Sequence, residues 1–159
     1  MEYSTRENDF SVDQEKAILV ACLLPGDGLN PHDPLGELSS LAGTAGAQVC
    51  DTLLQKKRKP ESATMIGKGK VEELAEMVRF HQAQVVIFEN ELTPSQIRNI
   101  EERIECKVLD RTELILDIFA VRAQTLEARL QVELSQLIYT YPRLTNICLL
   151  YTSPSPRDA

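Results

Sequence analysis

Hydrophobic residues in the first two thirds of the chain form short continuous runs separated by helical stripes. The run AILVACLL at residues 17–24 ends at a Pro-Gly pair and is typical of a strand buried on both faces. Shorter runs at residues 48–54, 84–88 and 107–109 predict three more strands, of which the second is more polar and therefore nearer an edge. Because helical stripes lie between them, the pattern predicts an α/β fold with a four-stranded, mostly parallel sheet, flanking helices and right-handed crossovers.

Local signals mark where two of these helices begin. Asp33 followed by Pro34 is typical of an N-cap with proline at the first helical position. Thr93, with a proline next and Gln96 three residues on, predicts a capping box. The stripes that predict buried helix faces are Leu35, Leu38, Leu41, Ala42 and Ala45, then Val71, Leu74, Ala75 and Val78, then Ile97, Ile100 and Ile104.

Residues 112–141 contain neither glycine nor proline, and their apolar positions recur at steps of three and four. This spacing predicts one long helix of about 45 Å. Such a helix extends past a four-stranded sheet, and its apolar seam requires a partner. Either it folds back over the sheet or it pairs with a second helix as one arm of a hairpin, and its length favours the pair. The seam comprises Leu116, Phe119, Ala123, Leu126, Leu130, Leu134, Leu137 and Tyr141.

The chain accordingly divides into four segments. Residues 1–14 are polar and predict a flexible leader, residues 15–110 the α/β domain, and residues 111–145 the long helix. The last segment, residues 146–159, contains CLLYTSPSPRD, which is what a transposon-based sequencing adapter encodes when it is translated. We therefore expect this tail to be non-native.

Composition excludes several classes of protein. Of 159 residues, 43% are hydrophobic and 26% charged, which is ordinary for a soluble globular protein. No apolar run reaches the length of a membrane span, and the N-terminus lacks the pattern of a signal peptide, so the cytoplasm is the expected location. The four cysteines form no C-x-x-C pair and have no histidine at ligand spacing, which disfavours a zinc site and predicts reduced core thiols.

Charge is distributed unevenly along the chain. The net charge is −7, yet residues 56–70 carry six basic residues and one glutamate, a net +5, which leaves −12 for the rest. A concentrated basic patch on an acidic protein binds a polyanion locally. The six cations are Lys56, Lys57, Arg58, Lys59, Lys68 and Lys70.

Gly67 and Gly69 lie in the same connection, directly before a predicted helix. Glycines there allow backbone N–H groups to approach phosphate, although the P-loop motif GxxxxGK[ST] is absent from the sequence. Two interpretations stay open: a tight turn with solvated lysines, or an anion or RNA contact, which the neighbouring KKRK supports.

Candidate catalytic residues are scarce. His32 and His81 are far apart, and neither has partners for a triad or a metal site, so we expect surface histidines. Asp110 and Asp117 would be a conceivable carboxylate pair, with Asp117 the more exposed, but nothing supports it. The arginines and glutamates of the long helix, such as Arg111, are explained by solvated ion pairs. No catalytic or metal-binding residue is therefore predicted.

Three long segments together resemble one protein family. They are ESATMIGKGKVEEL at residues 61–74, VIFENELTPSQIRNIE at residues 86–101, and residues 107–144 from KVLDRTELILDIFAVRAQ to IYTYPRL. The chain is similar over roughly residues 18–145 to the amino-terminal region of the HflX family of ribosome-associated GTPases. It departs from the family at Met65, where an aromatic residue is usual, and after residue 145.

The resemblance implies a fold, partners and cofactors. In the family the α/β part precedes a helical hairpin and a GTPase domain that uses GTP and Mg²⁺, and the protein acts on the large ribosomal subunit in ribosome splitting or rescue. It implies that the six cations and the long helix dock on ribosomal RNA (rRNA). It also implies that this chain, without the GTPase domain, has no enzymatic activity of its own.

Two other functions are compatible with the sequence. Parallel sheets bind ligands at the carboxyl ends of their strands, so a stand-alone nucleotide-binding domain would use Pro25, Gly26 and Asp27 after the first strand and Glu89 and Asn90 after the third. Alternatively, the long helix would pair with a second copy of the chain and produce weak self-association.

Overall fold

The computed structural model describes residues 12, 14–122 and 126–144. In this part of the chain, β1 (Lys16–Leu23), β2 (Gln48–Lys56), β3 (Val85–Phe88) and β4 (Lys107–Asp110) form a single sheet. The strand order is β2-β1-β3-β4, and each neighbouring pair is parallel. The predicted α/β fold with a four-stranded parallel sheet is confirmed, and the polar second strand is at an edge.

Helices connect and cover these strands. They are α1 (Gly36–Thr44), α2 (Lys68–His81), α3 (Pro94–Ile104), α4 (Arg111–Arg122) and α5 (Leu126–Thr140), followed by a 3-10 turn at Tyr141–Leu144. Among the described residues, no helix combines the length and apolar character that crossing a bilayer requires.

Each face of the sheet carries its own hydrophobic core. Alternate residues of β1, such as Ile18 and Val20, pack against α2 and α3. The intervening residues, such as Leu19, pack against α1 and α4. Because helices cover both faces, β1 is buried along nearly its whole length, which explains its uninterrupted apolar sequence.

Of the two predicted helix N-caps, one is confirmed and the other is wrong. At α3 the capping box is confirmed, because the Gln96 N–H donates to Thr93 Oγ1 at 3.1 Å and the Thr93 N–H donates to Gln96 Oε1 at 2.9 Å. At α1 the predicted Asp33 cap is wrong, because the helix begins at Gly36 and Leu35 occupies the N-cap without a side-chain bond. The Asp33 carboxylate lies instead where a Cβ on Gly36 would be.

The prediction of one long helix is wrong. The Tyr139 hydroxyl, near the end of α5, donates to the carboxylate of Asp110, directly before α4. In one straight helix these residues would be about 43 Å apart at 1.5 Å per residue. Helix α5 therefore folds back against α4, and the 3-10 turn contacts α3.

The chain's terminal segments are described only in part. Val12 is fully buried, and the Gln14 N–H donates to the carbonyl of Gly46 at 2.9 Å, so the packed structure includes residues that the predicted leader of residues 1–14 contained. The rest of that leader, the adapter-like tail at 146–159 and the seam residue Ala123 lie outside the described residues.

Candidate nucleic-acid interface

All six predicted cations lie in or beside the connection between β2 and α2, here named the basic loop (residues 56–70). Because the strands are parallel, this connection lies at the carboxyl edge of the sheet. The Lys57 N–H donates to the Leu23 carbonyl at 3.0 Å, so the loop leaves the sheet beside the end of β1. The structure therefore gathers the cations at one edge.

The middle of the basic loop is a closed turn. Glu61 and Met65 exchange both backbone hydrogen bonds, at 3.0 and 2.9 Å, and close a tip formed by residues 62–64. Met65 has φ of 64°, and its side chain is buried in the core that α2 and α3 share. A non-glycine residue is uncommon in the left-handed region, so surrounding contacts must fix this conformation.

Side chains from the scaffold supply those contacts. From α3, Gln96 Nε2 donates to the Glu61 carbonyl at 3.1 Å and Asn99 Nδ2 donates to the Ala63 carbonyl at 2.9 Å. From β2, Gln55 Oε1 accepts from the Gly67 N–H at 2.7 Å. The loop is thus bonded on both sides to regular secondary structure, and its conformation is set before any partner arrives.

The cations of the basic loop fall into two groups. Lys57 pairs with Glu61 at 2.7 Å, and Lys70 pairs with Glu73 at 3.0 Å. Within the described part of the chain, the other four are exposed and have no ion-pair partner. These four free cations are Lys56, Arg58, Lys59 and Lys68.

The two loop glycines have different surroundings. Gly67 is the N-cap of α2, but its N–H is already bonded to Gln55, and a Cβ there would lie 3.2 Å from the Gln55 amide nitrogen. A Cβ on Gly69 would meet nothing within 4 Å. Gly67 therefore serves close packing of the loop, and its N–H is already engaged within the protein.

Three of the five residues proposed for a nucleotide site are bonded within the protein. Both carboxylate oxygens of Asp27 accept backbone N–H groups of its own loop, at 2.9 and 3.0 Å. Asn90 bonds both backbone groups of Cys22, at 2.8 and 2.9 Å. Glu89 binds Arg111 at 2.8 Å. Pro25 and Gly26 are exposed residues of the loop that Asp27 closes.

A buried polar cluster at the ends of β3 and β4 was not predicted. Asp110 is fully buried and accepts from the Leu92 N–H at 3.1 Å, the Glu113 N–H at 3.0 Å and the Tyr139 hydroxyl. Burial, and then the bond to Asp110, raise the pKa of Tyr139 well above its usual range. Asp110 ends a strand and accepts the N–H of the third residue of the following helix, which is the pattern of an N-cap. The sequence therefore did contain a signal for Asp110.

Both aspartates of the conceivable pair are buried, and Asp117, 6% exposed against 0% for Asp110, is the more exposed of the two as predicted. The expectation for Arg111 is wrong. Arg111 does not form an ion pair on its own helix. It binds Glu89 and Glu37 from other elements, and the hydrogen bond to Glu89 is the main cause that raises its pKa.

The remaining candidates are the two histidines and the cysteines. His32 is exposed, and His81 Nε2 lies 2.8 Å from Asp51 Oδ2. The described thiols, those of Cys22, Cys50 and Cys106, are unbridged. Burial raises the pKa of each thiol, that of Cys106 to about 11, so the reactive thiolate is disfavoured at neutral pH. Cys148 lies outside the described residues.

The residues present do not fit GTP or Mg²⁺. The sequence has no P-loop motif, and Asp27, Asn90 and one carboxylate oxygen of Glu89 are bonded within the protein as described above. Within the described residues, no three His, Cys, Asp or Glu side chains form a group suited to a metal ion.

Comparison with known proteins relates the chain to one family. The model of the GTP-binding GTPase N-terminal family matches residues 32–120. The chain is similar to the protein named GTPase HflX of Caldanaerobacter subterraneus, with 50% identity over 135 residues, which are 85% of this chain and 31% of the relative. For the protein of that name in Escherichia coli, identity is 42% over 130 residues, 82% of this chain and 30% of the relative. The chain thus spans about a third of the length of its curated relatives.

Solved structures agree on the fold. A GTP-binding protein from Sulfolobus solfataricus in complex with GDP has a TM-score of 0.64 at 22% identity, over 86% of this chain and 40% of that one. The crystal structure titled as the SsGBP and GDP complex has a TM-score of 0.66 at 24% identity, over 84% of this chain and 37% of that one. With its family match and relatives, the chain belongs to the GTP-binding GTPase N-terminal family and is an HflX N-terminal region.

Proposed function

We propose that this chain is a docking module that binds rRNA of the large ribosomal subunit through the basic loop, as part of an HflX-type GTPase in the cytoplasm. The observation that carries the proposal is the group of four free cations on one rigid loop of a chain with a net charge of −7. Outside residues 56–70 the chain has a net charge of −12, so the four free cations give the basic loop a local positive charge that attracts a polyanion.

The module has a defined place in the proposed activity. GTP and Mg²⁺ would be bound by the part of an HflX protein that this chain does not span, and ribosome splitting or rescue would require that part. The chain itself would hold the GTPase domain against the subunit. We therefore expect binding without GTP hydrolysis.

Sedimentation with purified large ribosomal subunits tests the proposal. Four phosphate contacts predict an affinity loss of about 50- to 150-fold between 50 and 200 mM salt. The quadruple variant Lys56→Ala, Arg58→Ala, Lys59→Ala and Lys68→Ala should lose most of the binding at low salt. Absence of salt-sensitive binding by the wild-type chain would refute the proposal.

Helix α5 supports a second candidate function, self-association. It packs inward through half-buried Val132, Gln136 and Tyr139, and it leaves its more apolar face in solvent. That exposed seam comprises Leu130, Leu134, Leu137, Ile138 and Tyr141, each between 44% and 66% exposed. Steps of four, three and four from Leu130 to Tyr141 are coiled-coil spacing, so we propose that a second copy of the chain pairs with the seam. A strictly monomeric mass in light scattering would exclude this function.

A further inference from the structure

Two side chains of helix α3 hold the tip of the basic loop. Ser62 and Ala63 are exposed at the tip, while the carbonyl of Ala63 accepts the Asn99 side-chain N–H and the carbonyl of Glu61 accepts that of Gln96. Both donors lie on one face of α3, three residues apart. A helix that contributes no cation to the loop therefore fixes the loop's shape.

The unfavourable backbone conformation of Met65 indicates why the loop is held in one shape. Met65 occupies the left-handed region, which disfavours a side chain, and it does so to bring its own side chain into the core. A loop that only displayed charge to a flexible polyanion would need no such constraint, because lysines on a mobile loop neutralise phosphates equally well. A fixed backbone matters when the partner is itself rigid, because ordering the loop on binding would otherwise lower the affinity.

We propose that Asn99 is a positioning residue that pre-shapes the basic loop for a rigid, folded RNA surface. It touches no RNA itself and acts through the Ala63 carbonyl. This inference rests on the proposed function and adds the class of RNA that the loop recognises: structured RNA of fixed phosphate spacing, in contrast to flexible single strands. Gln96 acts in the same way but also closes the capping box, so its substitution would disturb α3 as well.

The test uses Asn99→Ala, which removes the donor and leaves every cation in place. Alanine has higher helix propensity than asparagine, so α3 should not lose stability. Binding is measured to two probes, purified large ribosomal subunits and poly(U), at 50 mM salt. The matched control is Gln131→Ala, which truncates an amide at an exposed position of α5.

We expect Asn99→Ala to lose about fivefold to tenfold in affinity for the subunits and less than twofold for poly(U). The slope of log affinity against log salt should stay at the wild-type value, because the number of neutralised phosphates is unchanged. Amide hydrogen exchange at Glu61 and Met65 should accelerate, since their paired bonds close the tip. Gln131→Ala should change none of these.

Two results would overturn the inference. One is wild-type affinity of Asn99→Ala for the subunits while the exchange at Glu61 and Met65 accelerates. The other is an equal loss for both probes. Both differ from failure of the proposed function, in which the wild-type chain itself shows no salt-sensitive binding to the subunits.

Discussion

The basic loop and helix α5 both present side chains to solvent, but the physics of the two surfaces differs. The loop exposes charges, which water solvates well, on a backbone bonded to β2 and α3. Helix α5 exposes leucines, which water solvates poorly, on an element that Tyr139 bonds to the body of the protein. Exposed charge is ordinary and needs a further argument to indicate a partner, whereas a contiguous apolar stripe is itself a sign of one.

The largest expected effect concerns the buried residue that supports α5. Asp110→Ala should lower the free energy of unfolding by about 3 kcal/mol, because the buried N–H groups of Leu92 and Glu113 lose their carboxylate acceptor. Urea unfolding measures this loss. Asp110→Asn, which keeps one carbonyl oxygen as an acceptor, should lose clearly less, and equal losses for the two variants would contradict the assignment.

A smaller effect is expected where α5 meets Asp110. Tyr139→Phe should lower the free energy of unfolding by about 1 kcal/mol, since one hydrogen bond disappears. The fold raises the pKa of Tyr139 above the ordinary value of about 10, so its contribution is complete below pH 10 and is lost as pH rises through the folded-state pKa. Absorbance titration of tyrosinate should show one late-titrating phenol that Tyr139→Phe abolishes. If all phenols titrate together near pH 10, α5 does not pack as described.

The exposed seam should contribute almost nothing to the stability of a single chain. Leu134→Glu with Leu137→Glu should leave the free energy of unfolding of the monomer within about 0.5 kcal/mol and should abolish self-association measured by light scattering. A matched pair, Glu133→Gln with Gln131→Glu, keeps the net charge of the same helix and should leave association intact. A large loss of stability in the leucine variant would show that the seam is packed within the chain.

The smallest effect on stability is expected in the basic loop. Arg58→Ala with Lys59→Ala should change the free energy of unfolding by less than about 0.5 kcal/mol, because both side chains are exposed and have no ion-pair partner among the described residues. Thermal unfolding compares the variant with the wild-type chain. A loss above 1 kcal/mol would assign these cations a structural role, in conflict with the binding role.

Sequence patterns predicted features that depend on local chemistry. They predicted the buried strand β1, the capping box at Thr93 and the cluster of cations, because each depends on residues close together in the chain. The sequence did not predict that helix α5 folds back. Its fold-back depends on a bond between Tyr139 and Asp110 across 29 residues, and no periodicity of three and four distinguishes a long helix from two shorter ones.

The basic loop shows the same limit within the candidate site. Its charge was evident, but the side chains that shape it, Asn99 and Gln96, lie about 35 residues further along the chain on α3. The left-handed Met65 was equally hidden, because the sequence marks such positions only when they carry glycine or asparagine. The sequence therefore showed where the cations cluster, and the structure added which residues hold the loop that carries them.

The central claim is that the basic loop binds rRNA through its four free cations, and the salt dependence of binding to large ribosomal subunits tests it most directly. Two variants that each remove two positive charges are compared: Arg58→Ala with Lys59→Ala in the loop, and Lys16→Ala with Arg79→Ala, exposed residues at the opposite, amino edge of the sheet. The loop variant should reduce the slope of log affinity against log salt by about 1.5, and the amino-edge variant should keep the wild-type slope. Equal slopes for all three proteins would contradict the account.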